Sequence, residues 1–282
     1  MNALKTVLLL TVLTLLLMFI GQLIAGPVGA LAAFVIALLM NLVSFWFADK
    51  MVIGMYRGKE ILPQDNPELH RIVNNLSQAA NIPKPKLYLV PLNVPNAFAT
   101  GRNPGHASLA VTKGILRILN REELEGVISH EISHIKNRDI LIGTIAATLA
   151  GAIMMIAYWA RWIAFLGAGD EDRGGIGLIG ILLLSILAPL AASIVQLAIS
   201  RTREYQADKS GAYLSGKPLA LASALEKLEI AARRNPLRGG SPATSHLFIV
   251  NPFRGDFVFR LFSTHPPIEE RIKRLKALAG VI

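Results

Sequence analysis

The chain has 282 residues, no cysteine and a formal net charge of +10, with 52% hydrophobic residues and a mean hydropathy of +0.47. That is too apolar for an ordinary soluble domain, and the missing cysteine excludes disulfides and leaves histidine and carboxylates as the donors for any transition-metal site. The basic residues form no aromatic-interleaved patch or recognition motif, so no nucleic-acid partner is expected.

Four apolar segments account for the hydropathy. Leu4–Ile24 is apolar apart from Lys5, three threonines and Gln22. Its apolar core starts after this single lysine and is longer than a signal-peptide core, so the segment reads as a retained anchor. Gly26-Pro27 then joins it to Val28–Phe47, which ends on Trp46, in the manner of a tight helical hairpin. Residues 49–139 follow as a mixed segment. Asn66 and Pro67 predict a helix start, with Leu69, Ile72, Val73 and Leu76 at helical spacing toward Ile82. Lys86–Val90 reads as a strand, and Asn96–Gly101 with Ala107–Thr112 reads as a hairpin around Asn103-Pro104-Gly105.

The next helix carries His130-Glu131-Ile132-Ser133-His134. Asn120 and Glu123 predict a capping box at its start, and Leu124, Val127, Ile128, Ile132 and Ile135 recur at helical spacing. Positions i and i+4 share a helix face, so the two imidazoles can converge on one tetrahedral metal. Glu131 is rotated about 100° from His130, beside the position where a metal's open coordination site would lie. Two neutral nitrogens and a carboxylate base are what metal-assisted hydrolysis needs, although the five-residue pattern also arises on solvated helices.

Ile140–Ala160 and Ile176–Ile199 are the third and fourth apolar segments, with Tyr158, Trp159 and Trp162 at a boundary. Each of the four approaches the roughly 20 residues that cross a bilayer. Beyond them, Arg201–Leu214 and Pro218–Arg233 read as helices. Asn235–Asp256 reads as a mobile loop rich in Gly, Pro and Ser, and a last helix runs from Pro266 or Pro267 to about Ala279. Ala48–Asp139 holds 12 Lys and Arg and the tail after Ile199 holds 14, against two in the 161–175 connection. Basic segments stay on the cytoplasmic side, so both termini and both long soluble parts are expected there, near anionic lipids.

A catalytic zinc normally takes three protein ligands. A short turn joins the third and fourth spans, so an antiparallel pair would return the chain to its starting depth. Glu204 lies five positions past Ile199 and His134 six before Ile140, which puts both roughly 8–9 Å beyond the apolar edge at the helical rise. Asp208, one turn after Glu204, is placed to accept an N–H from a ligand histidine. The bland alternative for Glu204 is a surface pair with Arg201 or Arg203.

HEISH, Ser200-Arg201-Thr202-Arg203-Glu204-Tyr205-Gln206-Ala207-Asp208 and Thr264-His265-Pro266-Pro267-Ile268-Glu269-Glu270-Arg271 together resemble the HtpX family. These are bacterial membrane heat-shock zinc endopeptidases related to the CAAX prenyl-protein proteases, and the resemblance spans essentially the whole chain. It implies one Zn2+ held by His130, His134 and Glu204, with Glu131 as general base. It further implies that Asn96, Ala97, Phe98, Ala99 and Thr100 form an edge strand beside the cleft. An extended substrate added there would gain sequence-independent backbone hydrogen bonds, and an ordinary structural hairpin is the alternative. His265 and Arg271 match positions near bound peptide in the CAAX relatives, where a donor could stabilise the oxyanion. The alternative is that this segment merely starts the last helix, with Glu269 and Glu270 at its N-terminal dipole.

The expectation is therefore an α-helical membrane protein with four transmembrane helices and a mostly α, small-β, zincin-like cytoplasmic metalloprotease domain. Its parts are a transmembrane hairpin (1–48), a first catalytic part with the HEISH helix (49–139), a second hairpin (140–199) and a second catalytic part (200–282). Its partners would be membrane lipids and membrane-protein or unfolded polypeptide substrates, in quality control at the bacterial inner membrane. A metal-containing scaffold or transporter and a selective CAAX-type processing protease are the rivals.

Overall fold

The computed structural model describes residues 2–150, 153, 201–234, 247–250 and 266–281. The late part of the third apolar segment, all of Ile176–Ile199, His246, His265 and most of the 235–256 loop lie outside the described residues. So does the whole 161–199 stretch that the four-span reading needs.

Helix α1 (Asn2–Met55) is two helices that meet at Ala25 and Gly26. Gly26 takes φ 60° and ψ −148°, a conformation open to glycine, and Pro27 starts the second half with its φ already set. The halves fold back on each other closely. A Cβ on Gly21 would run into the Gly29 carbonyl oxygen, and one on Gly29 into that of Gly21. Asn41 Nδ2 donates to Thr14 Oγ1 across the pair at 3.0 Å. Ala25–Phe47 is long and apolar enough to cross a membrane, with mean hydropathy 2.3, and among the described residues it is the one helix that meets that test.

Helix α2 (Pro67–Ala80) starts where the Asn66 side chain accepts the Leu69 N–H and stops at Asn81 in the left-handed region. Four strands follow in space as β1-β2-β4-β3: β1 (Lys59–Glu60), β2 (Lys86–Val90), β3 (Ala97–Gly101) and β4 (Ala107–Thr112). The β3–β4 hairpin is antiparallel as its turn residues require, whereas β2 and β4 run parallel. Side chains alternate across the sheet. Leu87, Ala97, Ala99, Leu109 and Val111 face the core shared with α2, while Val90, Phe98 and Ala110 face Val52, Ile53, Tyr56 and Phe248.

Helix α3 (Lys113–Ile118) is a short turn capped by Thr112. In α4 (Arg121–Lys136) the capping box is realised: the Glu123 N–H donates to Asn120 Oδ1 and the Asn120 N–H to Glu123 Oε2, each at 2.9 Å. Glu123 also receives Lys227 Nζ and Ser223 Oγ, which tie α4 to α7 (Pro218–Arg234). After α4, Arg138 at φ 58° turns the chain into α5, described over Ile140–Ala150. Helix α6 (Arg201–Ser215) packs on α4, and α8 (Ile268–Leu278) packs on both α6 and α7. A Cβ on Gly211 of α6 would lie 2.9 Å from the His130 amide nitrogen, so glycine there sets how near α6 comes to α4.

Candidate metal centre

His130 and His134 stand one turn apart on α4, and Glu204 reaches them from the first turn of α6. Each offers one donor atom, and the three lie within 4.8 Å of one another. Glu204 Oε2 is 3.7 Å from His130 Nε2, and Oε1 is 3.5 Å from His134 Nε2. Glu204 thus faces the imidazoles instead of pairing at the surface, and it is buried. Glu204, Asp208 and Gly211 follow at i, i+4 and i+7 on the face of α6 that meets α4, which is why one helix contact assembles all of them.

Behind each imidazole stands a carboxylate. Asp208 Oδ1 lies 2.9 Å from His130 Nδ1, and Asp139 Oδ2 lies 3.4 Å from His134 Nδ1. A carboxylate there keeps the ring proton on Nδ1 and leaves Nε2 as a bare lone pair. The two Nε2 atoms face each other at 3.2 Å. Two lone pairs at that distance repel unless a cation lies between them. Nitrogens bound at about 2.0–2.1 Å to one tetrahedral metal stand roughly 3.3 Å apart, so the donor set fits a divalent ion. Without a metal the same spot attracts a proton. Burial opposes charge on His134, but the Glu204, Asp139 and Glu131 carboxylates outweigh it and push its pKa up to about 9.

Asp208 is in turn held by Arg271 of α8. Nε and Nη2 donate to its two oxygens at 2.7 Å each, a bidentate fork that fixes the carboxylate in orientation as well as charge. Burial pushes the Asp208 pKa up, yet Arg271 and His130 hold it well below the usual carboxylate range. Arg271 is fully buried, with Nη1 donating to the Ile249 carbonyl at 3.1 Å and standing 3.9 Å from Glu204 Oε2. Its guanidinium is engaged inside the protein and does not face an open cleft.

Glu131 is buried beside the donors, and its Oε2 accepts the Ala99 N–H at 2.9 Å. Burial raises its pKa, with help from Glu204, against the lowering effect of both histidines and the Ala99 amide. A carboxyl raised in this way is a stronger base than a surface glutamate. The strand that supplies the amide, β3, lies at the margin of the sheet as expected, but Ala97, Phe98, Ala99, Thr100 and Gly101 are all buried. At the far end of that margin Thr144 of α5 closes the strand. Its hydroxyl donates to the Ile140 carbonyl at 2.6 Å and accepts from the Gly101 N–H and the Thr100 hydroxyl at 3.2 and 3.0 Å.

Residues 63–279 match the peptidase family M48. The chain belongs to that family. It is 60% identical to the protease HtpX homolog of Pyrococcus furiosus over 98% of this chain and 95% of the relative. For the protease HtpX homolog of Syntrophobacter fumaroxidans the identity is 53%, over 97% and 98%. It is accordingly an HtpX-type metalloprotease. The crystal structure of S. mikatae Ste24p shares the fold at TM-score 0.51 and 18% identity, over 94% of this chain and 65% of that one.

The sequence singled out His130, Glu131, His134, Glu204, Asp208 and Arg271, and the structure brings these together. Asp139 was missed. The signal for it is an acidic residue five positions past His134, directly after the Asn137-Arg138 helix stop, where a left-handed residue folds the next side chain back to the site. Arg203 Nη1 also stands 3.8 Å from Asp139 Oδ1, whereas the sequence offered Arg203 only as a surface partner of Glu204.

Proposed function

We propose that the chain is a zinc-dependent endopeptidase that cleaves misfolded or damaged membrane proteins at the cytoplasmic face of the bacterial inner membrane. The observation that carries this reading is the convergence of His130, His134 and Glu204 with the buried base Glu131 alongside. Those three side chains would hold the metal. When bound, zinc supplies Lewis acidity, bringing the pKa of water toward about 7 and polarising a peptide carbonyl. Ala99 holds one oxygen of Glu131, so the other takes the proton from water and returns it to the leaving amine. Asp208 and Asp139 orient the two imidazoles, and Arg271 orients Asp208 without touching substrate. His265 keeps the role that the resemblance gives it, a donor to the oxyanion.

The membrane part of the reading rests on Ala25–Phe47 and on the short count from His134 to Ile140, where apolar α5 begins. Four spans with both termini cytoplasmic would hold the site within a turn or two of the lipid and favour substrates already tethered there. A closed structural site would call for four protein ligands, whereas three donors converge among the described residues. The test is cleavage of a destabilised membrane protein in proteoliposomes by wild type and Glu131→Gln, with protease added outside to map the loops. Equal cleavage by both proteins would overturn the mechanism, and periplasmic exposure of residues 63–139 would overturn the orientation.

A further inference from the structure

Asn96 precedes β3 and is 1% exposed, with its polar atoms all engaged. Its backbone is committed to β4: the N–H donates to Thr112 Oγ1 at 2.8 Å, and the carbonyl accepts the Thr112 N–H at 2.9 Å. Its side-chain amide is committed elsewhere. Oδ1 accepts the Ile249 N–H at 2.9 Å and Nδ2 donates to the Leu247 carbonyl at 3.3 Å. This copies the paired bonds that a neighbouring strand would make with Leu247 and Ile249.

The path of that segment follows from its burial. Leu247 and Phe248 pack with Phe98, Tyr56 and Ala110 on one face of the sheet, while Ile249 packs in the core of Ala97, Ala99 and Leu109 on the other. Consecutive residues on opposite faces of a sheet must pass around its margin. On its inner side β3 is paired to β4, and the Asn96 amide holds Leu247 and Ile249, so Leu247–Val250 passes around the Asn96 end of that strand. Ala97 is accordingly 0% exposed. Arg271 grips the same segment through the Ile249 carbonyl while forking onto Asp208, the carboxylate behind His130.

The alternation of the hairpin sharpens what this covers. Thr112 donates to Asn96, so the bonded pairs with β4 fall at Asn96, Phe98 and Thr100. The N–H groups of Ala97, Ala99 and Gly101 then point outward. Glu131 takes the second and Thr144 the third, leaving the first beneath the segment. The outward N–H groups of Ala99 and Gly101 are therefore occupied before any substrate strand arrives.

We propose that Leu247–Val250 is a strap across the substrate edge of β3, that Asn96 is the positioning residue that latches it, and that an unfolded polypeptide docks by displacing it. The proposal deepens the protease reading above and rests on it. An extended chain brings its own N–H and C=O groups to replace those of Leu247 and Ile249 on Asn96, which a folded surface cannot do. The strap therefore selects for unfolded segments, and its shared Arg271 links its position to the metal site.

The chain has no cysteine, so Leu247→Cys gives a single thiol, at a position 8% exposed, whose maleimide labelling rate reports strap opening. In that background Asn96→Leu removes both latch bonds at similar volume, and Asn96→Asp keeps the acceptor for Ile249. Labelling is expected to rise at least tenfold in Asn96→Leu and less in Asn96→Asp. Zinc affinity should stay unchanged, and because the substrate takes over the same amide, KM for unfolded casein should rise several-fold in Asn96→Leu even as labelling increases. In zinc-free protein, saturating unfolded casein should raise labelling of the Leu247→Cys thiol at least fivefold. A lower kcat/KM in Asn96→Leu with unaltered labelling would make Asn96 a direct substrate ligand and overturn the latch. Casein that binds without altering the labelling rate would overturn displacement. Should the wild type cleave no casein at all, the protease-substrate reading is what fails, and the labelling contrast still decides the latch.

Discussion

Gly211→Ala tests whether the metal centre depends on the close approach of α6 to α4. The added Cβ would meet the His130 nitrogen at 2.9 Å, the His130 Cα at 3.0 Å and the Ser129 carbonyl carbon at 3.1 Å, all of them backbone atoms unable to swing aside. Ordinary contact begins near 3.4 Å, so α6 must retreat by about 0.5 Å. Metal sites tolerate ligand displacements of only about 0.2 Å. Glu204 lies two turns away on the same face of α6 and moves with it. Overpacking costs about 1–3 kcal/mol, against which the helix propensity of alanine returns about 1 kcal/mol. The expected outcome is a melting temperature lower by a few degrees and a zinc affinity weakened by about 10–100-fold, as for loss of a supporting ligand contact. Chelator competition on the detergent-purified protein reads the affinity. Gly143→Ala on α5 is the control, because among the described residues no atom lies within 4 Å of its added Cβ. Wild-type affinity in Gly211→Ala would refute the argument that this one contact sets the site.

Glu131→Gln should retain stoichiometric zinc and lose about 10²–10⁴-fold in proteolysis; loss of zinc instead would make Glu131 a ligand. Arg271→Met leaves the buried Asp208 charge uncompensated and should cost about 3–5 kcal/mol in thermal or denaturant unfolding, whereas Asp208→Asn with Arg271→Met together should cost less than the two summed. Additive losses would contradict the fork. Glu123 carries the pH prediction. Burial works against its charge, but Lys227, the Asn120 N–H and Ser223 hold its pKa below the ordinary value. A carboxyl with a lowered folded-state pKa stabilises the fold above its unfolded pKa, near 4.3, and loses that contribution as pH falls through the folded value. Glu123→Gln should thus be about 1–3 kcal/mol less stable at pH 7, with the gap closing as pH falls below about 4. A gap independent of pH would rule out the ionic clamp.

What could be read in advance was local or depended on depth. The capping box of Asn120 and Glu123, the i, i+4 pairing of His130 and His134, and the break at Gly26-Pro27 are fixed by neighbours in sequence. Glu204 was reached by counting residues from an apolar edge, which works because helical rise is constant. The two-residue β1 strand and the parallel β2–β4 pairing escaped because neither has a turn signature. Asp139 escaped because its reach depends on the left-handed Arg138. The covered margin of β3 was illegible for a stronger reason. Its cover comes from Thr144 and from a segment about 150 residues further on, held by an amide whose partners only the folded chain brings together.

The most direct measurement is zinc per chain in protein purified from membranes, for wild type and Glu204→Ala, with retained fold checked by circular dichroism. The account predicts one zinc per wild-type chain, lost in Glu204→Ala together with proteolysis. A full zinc complement and undiminished cleavage in Glu204→Ala would contradict it.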